Sequence, residues 1–342
     1  MKRVITFGEI MLRLSPPGFE RFLQSPQFVA TFGGGEANVA VSLAQFGLES
    51  TYVTALPNNP LGDAAIRALR AEGVRTGHIV RSGLRMGVYF TEAGASQRAS
   101  TVLYDRARSA ISEMPPDAVN WDSVFAGADW FHVTGITPAL GASSAEATRR
   151  AIAAAGRAGA RVSVDLNYRK KLWTEAQAQA TMRPMMRGVD VVIANEEDLQ
   201  SVLGVHVPDT DVTSGQLNLD GFRRAAEQVT RDFGASLVAI TLRESMSASD
   251  NGWSAVLWDA KAGTMVRSQR YDVRLVDRIG GGDSFAAGLI YGLLAGRSPA
   301  DALRFGVGAS ALKQTIPGDF NRVTVDEVDR LIAGDASGRV QR

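Results

Sequence analysis

The sequence predicts an α/β protein with a mainly parallel central sheet, helices on both faces, and a small β-sheet lid. Three observations carry this. From Asp129 onward, short apolar runs alternate with stretches of helical length, the pattern of strands joined by crossover helices. Two glycine turns, Gly33 to Gly35 and Gly280 to Gly282, each run straight into an apolar helical stretch. The segments near 10–32 and 86–106 lack that alternation and read as strands paired with one another. The expected organisation is a single domain over 1–334 carrying this lid, with 335–342 as a frayed tail.

Taken in order, Val4 to Phe7 is a short apolar run ended by Gly8, a buried first strand. Leu12, Arg13 and Leu14 alternate before the Pro16-Pro17-Gly18 break, and Phe28 to Phe32 reads as a strand. Gly33 to Asn38 then opens a helix through Val39, Ala40, Leu43, Ala44 and Phe46, stopped at Gly47. Thr51 to Ala55 is a strand, and Leu61 to Glu72 a helix with Gly73 as its stop. Gly87 to Glu92 and Ser100 to Asp105 form a strand pair around a polar turn, carrying Tyr89, Tyr104 and, just beyond, Arg106. The regular part follows: strand Asp129 to Thr134, helix Ser144 to Ala158, strand Val162 to Leu166, helix Ala176 to Met186, strand Val189 to Ala194, and a helix to Leu203. Val207 to Asp220, rich in Thr, Ser, Asp and Gly, reads as a surface insertion. Helix Phe222 to Phe233, strand Leu237 to Leu242, and a hairpin of Trp253 to Trp258 with Met265 to Arg274 lead to the second glycine turn. Helices Ala300 to Lys313 and Val325 to Ile332 close the chain.

Composition narrows the function. A formal net charge of +1 leaves no footprint for nucleic acid or an anionic membrane. The chain has no cysteine, which excludes disulfides, thiolate chemistry and Cys-type zinc sites. Its three histidines, His78, His132 and His206, have no ligand spacing, and His132 sits in an apolar run that marks it as a core residue. The opening MKRVITFGEI lacks the apolar core of a signal peptide, and no apolar run approaches bilayer length, so a cytoplasmic location is expected.

Glycines opening a helix leave backbone N–H groups unpaired, with the positive end of the helix dipole behind them, which favours an anion. A carboxylate there, Asp283, fits a base that takes a proton from a hydroxyl attacking a phosphoryl group. Alone, the arrangement also fits an N-cap. Polar clusters at the carboxyl ends of strands favour a site: Gly33 to Asn38, Asp165 to Arg169, Asn195 to Asp198, Thr241 to Glu244 and Asp277 to Asp283. Glu36 and Asn38 can bond sugar hydroxyls. Neither glycine turn has the dinucleotide spacing, which sets a nicotinamide oxidoreductase aside.

These clusters, in this order, resemble the ribokinase-type (pfkB) sugar kinases from Gly8 to about Leu331. Gly34, Gly35 and Asn38 match the early GG-x-x-x-N signature, and Asp277, Gly280, Gly282 and Asp283 the late D-x-x-G-x-G-D. Gly87 to Tyr89, Tyr104 to Arg106 with Ser109-Ala110, Gly135 to Leu140, DLNYRKKLW from Asp165 and the Gly318-Asp319 pair are most similar to the 2-keto-3-deoxygluconate kinases. The resemblance implies a ribokinase-like fold. It also implies ATP and Mg²⁺ as cofactors, and transfer of the γ-phosphoryl group to the terminal hydroxyl of that sugar acid. Asp283 would be the base, and Gly280, Gly281 and Gly282 the anion hole. Gly34, Gly35, Asn38, Tyr89, Tyr104, Arg106, Arg169 and Asp319 would surround the acceptor. Asn167, Asn195, Thr241 and Arg243 would lie along ATP. Asp198 or Glu197 would orient metal-bound water, and a monovalent cation would sit near 277–282.

The chain departs from the family pattern at Arg278 and Gly281 in the late signature, at Asp198 where a Glu is usual, and at Thr241 to Glu244, which lacks Lys-x-Gly. Arg13 lies where ribokinase has an Asp for its sugar, which disfavours ribose. Independently of the family, Arg106 and Arg169 suit an acceptor with a carboxylate, since a guanidinium grips one bidentately. The alternatives are a fructokinase or a kinase of another sugar or sugar acid, and a nucleotide- or sugar-binding protein without turnover. Exposed lid edges imply a homo-oligomer formed through the lid.

Overall fold

The computed structural model describes residues 1–208 and 218–335. The reading of 207–220 as a surface insertion falls mainly on 209–217, and that of a frayed tail on 336–342, both outside the described residues.

The amino-terminal half runs β1 (Arg3–Phe7), β2 (Met11–Ser15), β3 (Val29–Gly33), α1 (Gly35–Gln45), β4 (Glu49–Val53), β5 (Ala55–Leu56), α2 (Pro60–Ala71), β6 (Val80–Arg81), β7 (Val88–Glu92), β8 (Thr101–Asp105), α3 (Trp121–Phe125), β9 (Trp130–Thr134) and α4 (Ile136–Ala139). It continues with α5 (Ala142–Arg157), β10 (Arg161–Asp165), α6 (Glu175–Met185), β11 (Val191–Ala194) and the short α7 (Glu196–Asp198), which runs into a π-turn over Leu199–Leu203. Then come α8 (Leu219–Phe233), β12 (Leu237–Ser245), β13 (Asp250–Asp259), β14 (Thr264–Arg267), β15 (Tyr271–Arg274), α9 (Gly281–Leu294), α10 (Pro299–Lys313) and α11 (Val325–Ile332).

The main sheet has the order β14-β13-β12-β11-β10-β9-β1-β4, with β15 also on β13. It is parallel from β4 through β12. Its strands are apolar at successive positions because both faces are covered. Val4, Trp130, Ile193 and Ala239 pack toward α9 and α10. Ile5, Phe131, Val162, Val192 and Val238 pack on the opposite face with α5, α6 and α8. His132 is buried, its Nδ1 2.8 Å from Ser163 Oγ, and burial depresses its pKa to about 3.

The segment read as one strand of a hairpin, Met265 to Arg274, is two strands. β14 pairs with the far end of β13 and β15 with its beginning. The break falls where the Ser268 hydroxyl and amide bond the β13 backbone at Ala255.

The chain leaves β1 for β4 on one side and returns to β9 on the other, so the order reverses between β1 and β9. In open α/β sheets ligands bind at such a reversal, beyond the carboxyl ends of the strands. A separate sheet of order β3-β2-β7-β8 stands over this end.

Candidate active site

Between the strand ends and the small sheet lies a cavity of about 360 Å³. Among the helices that open on it, α1 after Gly34 and α9 after Gly280 have no side-chain cap among the described residues. By contrast Asn59, Thr174, Asn218, Ser298 and Thr324 cap α2, α6, α8, α10 and α11. The first-turn amides of α9 beyond Gly281, those of Gly282 and Asp283, are therefore left for another partner. Gly280 makes this turn possible. Its φ is +82°, and a Cβ there would stand 2.2 Å from the Asp319 carbonyl oxygen.

Asp283, in the first turn of α9, lies on the cavity wall. Asn38 Nδ2 donates to its Oδ2 at 2.7 Å, while Asn38 Oδ1 accepts from the Gly34 amide at 3.2 Å. The amide of Asn38 is thus oriented from α1 and presented across the cleft to α9. Burial, together with the Asp319 charge, raises the Asp283 pKa to about 6. The Asn38 bond, Arg169 and Lys313 oppose it.

Side chains of the small sheet form the opposite wall. Tyr89 and Tyr104 stack with ring centroids 5.9 Å apart, and the Arg106 guanidinium lies over the Tyr104 ring. Arg106 is ion-paired with Glu9, whose other oxygen accepts from Ser109 Oγ at 2.6 Å. Asp319 is buried and accepts from Tyr89 Oη at 2.6 Å and Arg13 Nη1 at 2.7 Å. Arg13 also reaches Asp277 at 2.6 Å, so one guanidinium ties the small sheet to the loop before Gly280. Arg169 has no ion-pair partner among the described residues, donating only to the Tyr168 carbonyl.

Around the same cavity Arg169, Arg243 and Arg278 stand together. Burial, together with repulsion by Arg278 and Arg169, lowers the Arg243 pKa to about 10. Arg243 Nε has no hydrogen-bond partner among the described residues. Arg243 and Arg278, without an ion-pair partner among those residues, suit a polyanion. Asp165 and Asp198 are buried nearby. Burial raises the Asp165 pKa well above its usual value, and the charges of Asp198 and Asp283 raise it further. Burial brings Asp198 to about 6 although it accepts from the Tyr168 and Asn195 amides.

Nearly all the residues singled out in the sequence meet at this cavity: Gly34, Gly35, Asn38, Tyr89, Tyr104, Arg106, Asn167, Arg169, Asn195, Asp198, Thr241, Arg243, Gly280, Gly282, Asp283 and Asp319. Two do not. Gly281 is off the wall because its amide is turned back to the Arg278 carbonyl at 3.3 Å. Glu197 is exposed, because Asn195 and Asp198 cap α7 reciprocally and turn the residue between them outward. Arg106, expected to be free for a carboxylate, is neutralised by Glu9.

Four charged wall residues fall outside that set: Glu9, Glu36, Asp165 and Arg278. Glu9 and Asp165 lie at or just past the carboxyl ends of β1 and β10, a signal already in the sequence. Glu36 reads from the sequence as a first-turn group able to bond sugar hydroxyls. It is buried and bonded through Oε1 to the Thr134 amide and to the hydroxyls of Thr134 and Thr137 at 2.7–2.8 Å.

Residues 1–321 match the sequence profile of the pfkB family carbohydrate kinases. The structure of a 2-dehydro-3-deoxygluconokinase from Thermotoga maritima is 49% identical, with a TM-score of 0.94, over 98% of this chain and 100% of that one. A 2-dehydro-3-deoxygalactonokinase from Haloferax volcanii is 34% identical over 98% of both chains. A 2-dehydro-3-deoxygluconokinase from Bacillus subtilis is 29% identical over 94% of this chain and 93% of its own.

Proposed function

The chain belongs to the pfkB family of carbohydrate kinases, and from that premise we propose that it phosphorylates 2-keto-3-deoxygluconate (2-dehydro-3-deoxygluconate) at its terminal, C6 hydroxyl. The observation that carries this reading is the pairing, in one cavity, of Asp283 at the open end of α9 with Arg169, a guanidinium without a carboxylate partner. Asp283 serves a hydroxyl acceptor, and Arg169 serves the carboxylate that distinguishes a sugar acid from a neutral sugar.

In the reaction the acceptor oxygen attacks the γ-phosphorus of ATP. Asp283 takes the hydroxyl proton as the O–P bond forms, and the bond to the β-phosphate oxygen breaks to release ADP. The amides of Gly280, Gly282 and the first turn of α9 hold the charge on the transferring oxygens. Arg243 and Arg278 face the polyphosphate, with Asn167, Asn195 and Thr241 along the nucleotide. Mg²⁺ supplies neutralisation of the phosphate charge. Asp165 and Asp198, buried and mutually repelling, would lie toward it. Gly34, Gly35, Asn38, Tyr89, Tyr104 and Asp319 enclose the acceptor. Arg106, neutralised by Glu9, orients hydroxyls and shields the site from water.

The protein acts in the cytoplasm, where ATP is available. Among the described residues no helix is long and apolar enough to cross a membrane. Two copies pair through the small sheet, whose edge strands β3 and β8 expose Val29, Leu103 and Tyr104, with Phe28 beside them.

The Haloferax relative gives a second reading, 2-keto-3-deoxygalactonate, the C4 epimer. An ADP-release assay with ATP·Mg²⁺ separates the possibilities across both epimers, gluconate, fructose and ribose. Selective turnover of the gluco-configured acid supports the assignment. Preference for the epimer moves the substrate, and turnover of neutral sugars alone refutes the role given to Arg169.

A further inference from the structure

Lys313, the last residue of α10, is fully buried, an unusual place for an ammonium. No carboxylate bonds it directly. Its Nζ donates to three backbone carbonyls: Asp277 at 3.2 Å, Gly318 at 2.6 Å, and Ile279. Two of these belong to the loop that delivers Gly280, and the third to the turn that delivers Asp319. The two loops are otherwise joined by the Gly318 amide on Asp277 Oδ2 at 3.0 Å and by the Val276 and Asp277 amides on the Gln314 carbonyl. Lys313 Cε lies 3.2 Å from the position a Gly280 Cβ would take, so the ammonium sits directly behind the first glycine of the anion hole.

A ring of carbonyl oxygens closing on one positive charge is how proteins hold a monovalent cation. Here the charge is covalently attached to α10. Burial lowers the ammonium's pKa and the Arg13 charge adds to this, while Asp277, Asp319 and Asp283 oppose the shift.

We propose that Lys313 is a tethered monovalent cation. Its ammonium occupies the carbonyl cage behind Gly280 and fixes the anion-hole loop, so the kinase works without an added monovalent metal ion. Lys313 touches neither phosphate nor acceptor. It is a positioning residue, acting through the backbone of Asp277 to Gly280. The sequence expectation of a bound monovalent cation near 277–282 is thereby replaced by a side chain 30 residues beyond Asp283.

The inference rests on kinase chemistry but not on which acceptor is phosphorylated. It is tested on the full-length protein and a Lys313→Ala variant, in tetramethylammonium, potassium and ammonium chlorides at equal ionic strength. The wild-type kcat and thermal midpoint are expected to be the same in all three. Lys313→Ala is expected to lose about 10²-fold in kcat in tetramethylammonium, with little change in KM, and to recover saturably in potassium or ammonium. Its thermal midpoint should rise with the same two ions. Lys313→Met, which keeps the stem and removes the charge, provides the folding control. It is expected to lose kcat without recovery, because its side chain still fills the cage. Wild type stimulated several-fold by potassium overturns the proposal, as does a Lys313→Ala variant with near-normal kcat in tetramethylammonium. The thermal readout needs no acceptor, so an error in the substrate leaves it intact.

Discussion

Asp283 must be ionised to accept a proton, and its environment works against ionisation. With its pKa raised to about 6, the carboxylate is lost as pH falls through that value. The expected kcat/KM profile is therefore flat at neutral pH and falls about tenfold per pH unit below about 6. Asp283→Asn should keep ATP binding and lower kcat by about 10²–10⁴. A profile level down to pH 5, or a variant of near-normal kcat, removes Asp283 from the role of base.

Glu36 gives a stability counterpart. Burial lifts its pKa from 4.5 to about 7 even though the Thr134 and Thr137 bonds oppose the shift. The fold thus favours the protonated form. That contribution is complete below about 4.5 and is lost as pH rises through 7. Glu36→Gln keeps an acceptor oxygen for the three donors and cannot ionise. It should gain up to about 3 kcal/mol over wild type between pH 5 and 8 in urea unfolding. Parallel curves for the two proteins would show that Glu36 does not carry this dependence.

At the scale of elements, α9 and α10 pack side by side, with Asp283 at the start of one and Lys313 at the end of the other. Their close approach runs through glycine. A Cβ on Gly288 would stand 2.8 Å from Gly306 Cα, a backbone atom that cannot swing aside. Alanine is favoured over glycine in a helix by about 0.8–1.0 kcal/mol. Overpacking of about 1–3 kcal/mol opposes this, and backbone against backbone puts the cost at the upper end. Gly288→Ala should accordingly destabilise the protein in urea and lower kcat by moving the α9 amides. A stabilised Gly288→Ala variant would show that the helices can separate freely.

Across the whole molecule, Arg13 joins the small sheet to Asp277 and Asp319, and so to the loop under the anion hole. The small-sheet wall of the cavity and the glycine turn before α9 are thereby one connected body. The two edge strands of that sheet, β3 and β8, present Val29 and Leu103, each about half exposed. Val29→Lys with Leu103→Lys should convert a dimer to a monomer by sedimentation while leaving the fold intact. An unchanged mass would place any pairing on another face.

Much of this was legible in the chain. Strand periodicity, the two glycine turns and the polar residues ending each strand are local patterns, and they led to the parallel sheet, the small sheet and Asp283. Local patterns also marked Asn38 and Arg169, because both follow turns whose chemistry is read from a few adjacent residues. The tertiary structure alone decided which charges are free. Arg106 and Arg169 look alike in the sequence, yet one is matched by Glu9, 97 residues away, and the other is not. Lys313 reads as an ordinary helix C-terminal lysine until the fold closes three carbonyls around it. Sequence fixes where a charge sits along its own element, whereas its partner and its exposure to water are set by packing between elements distant in the chain.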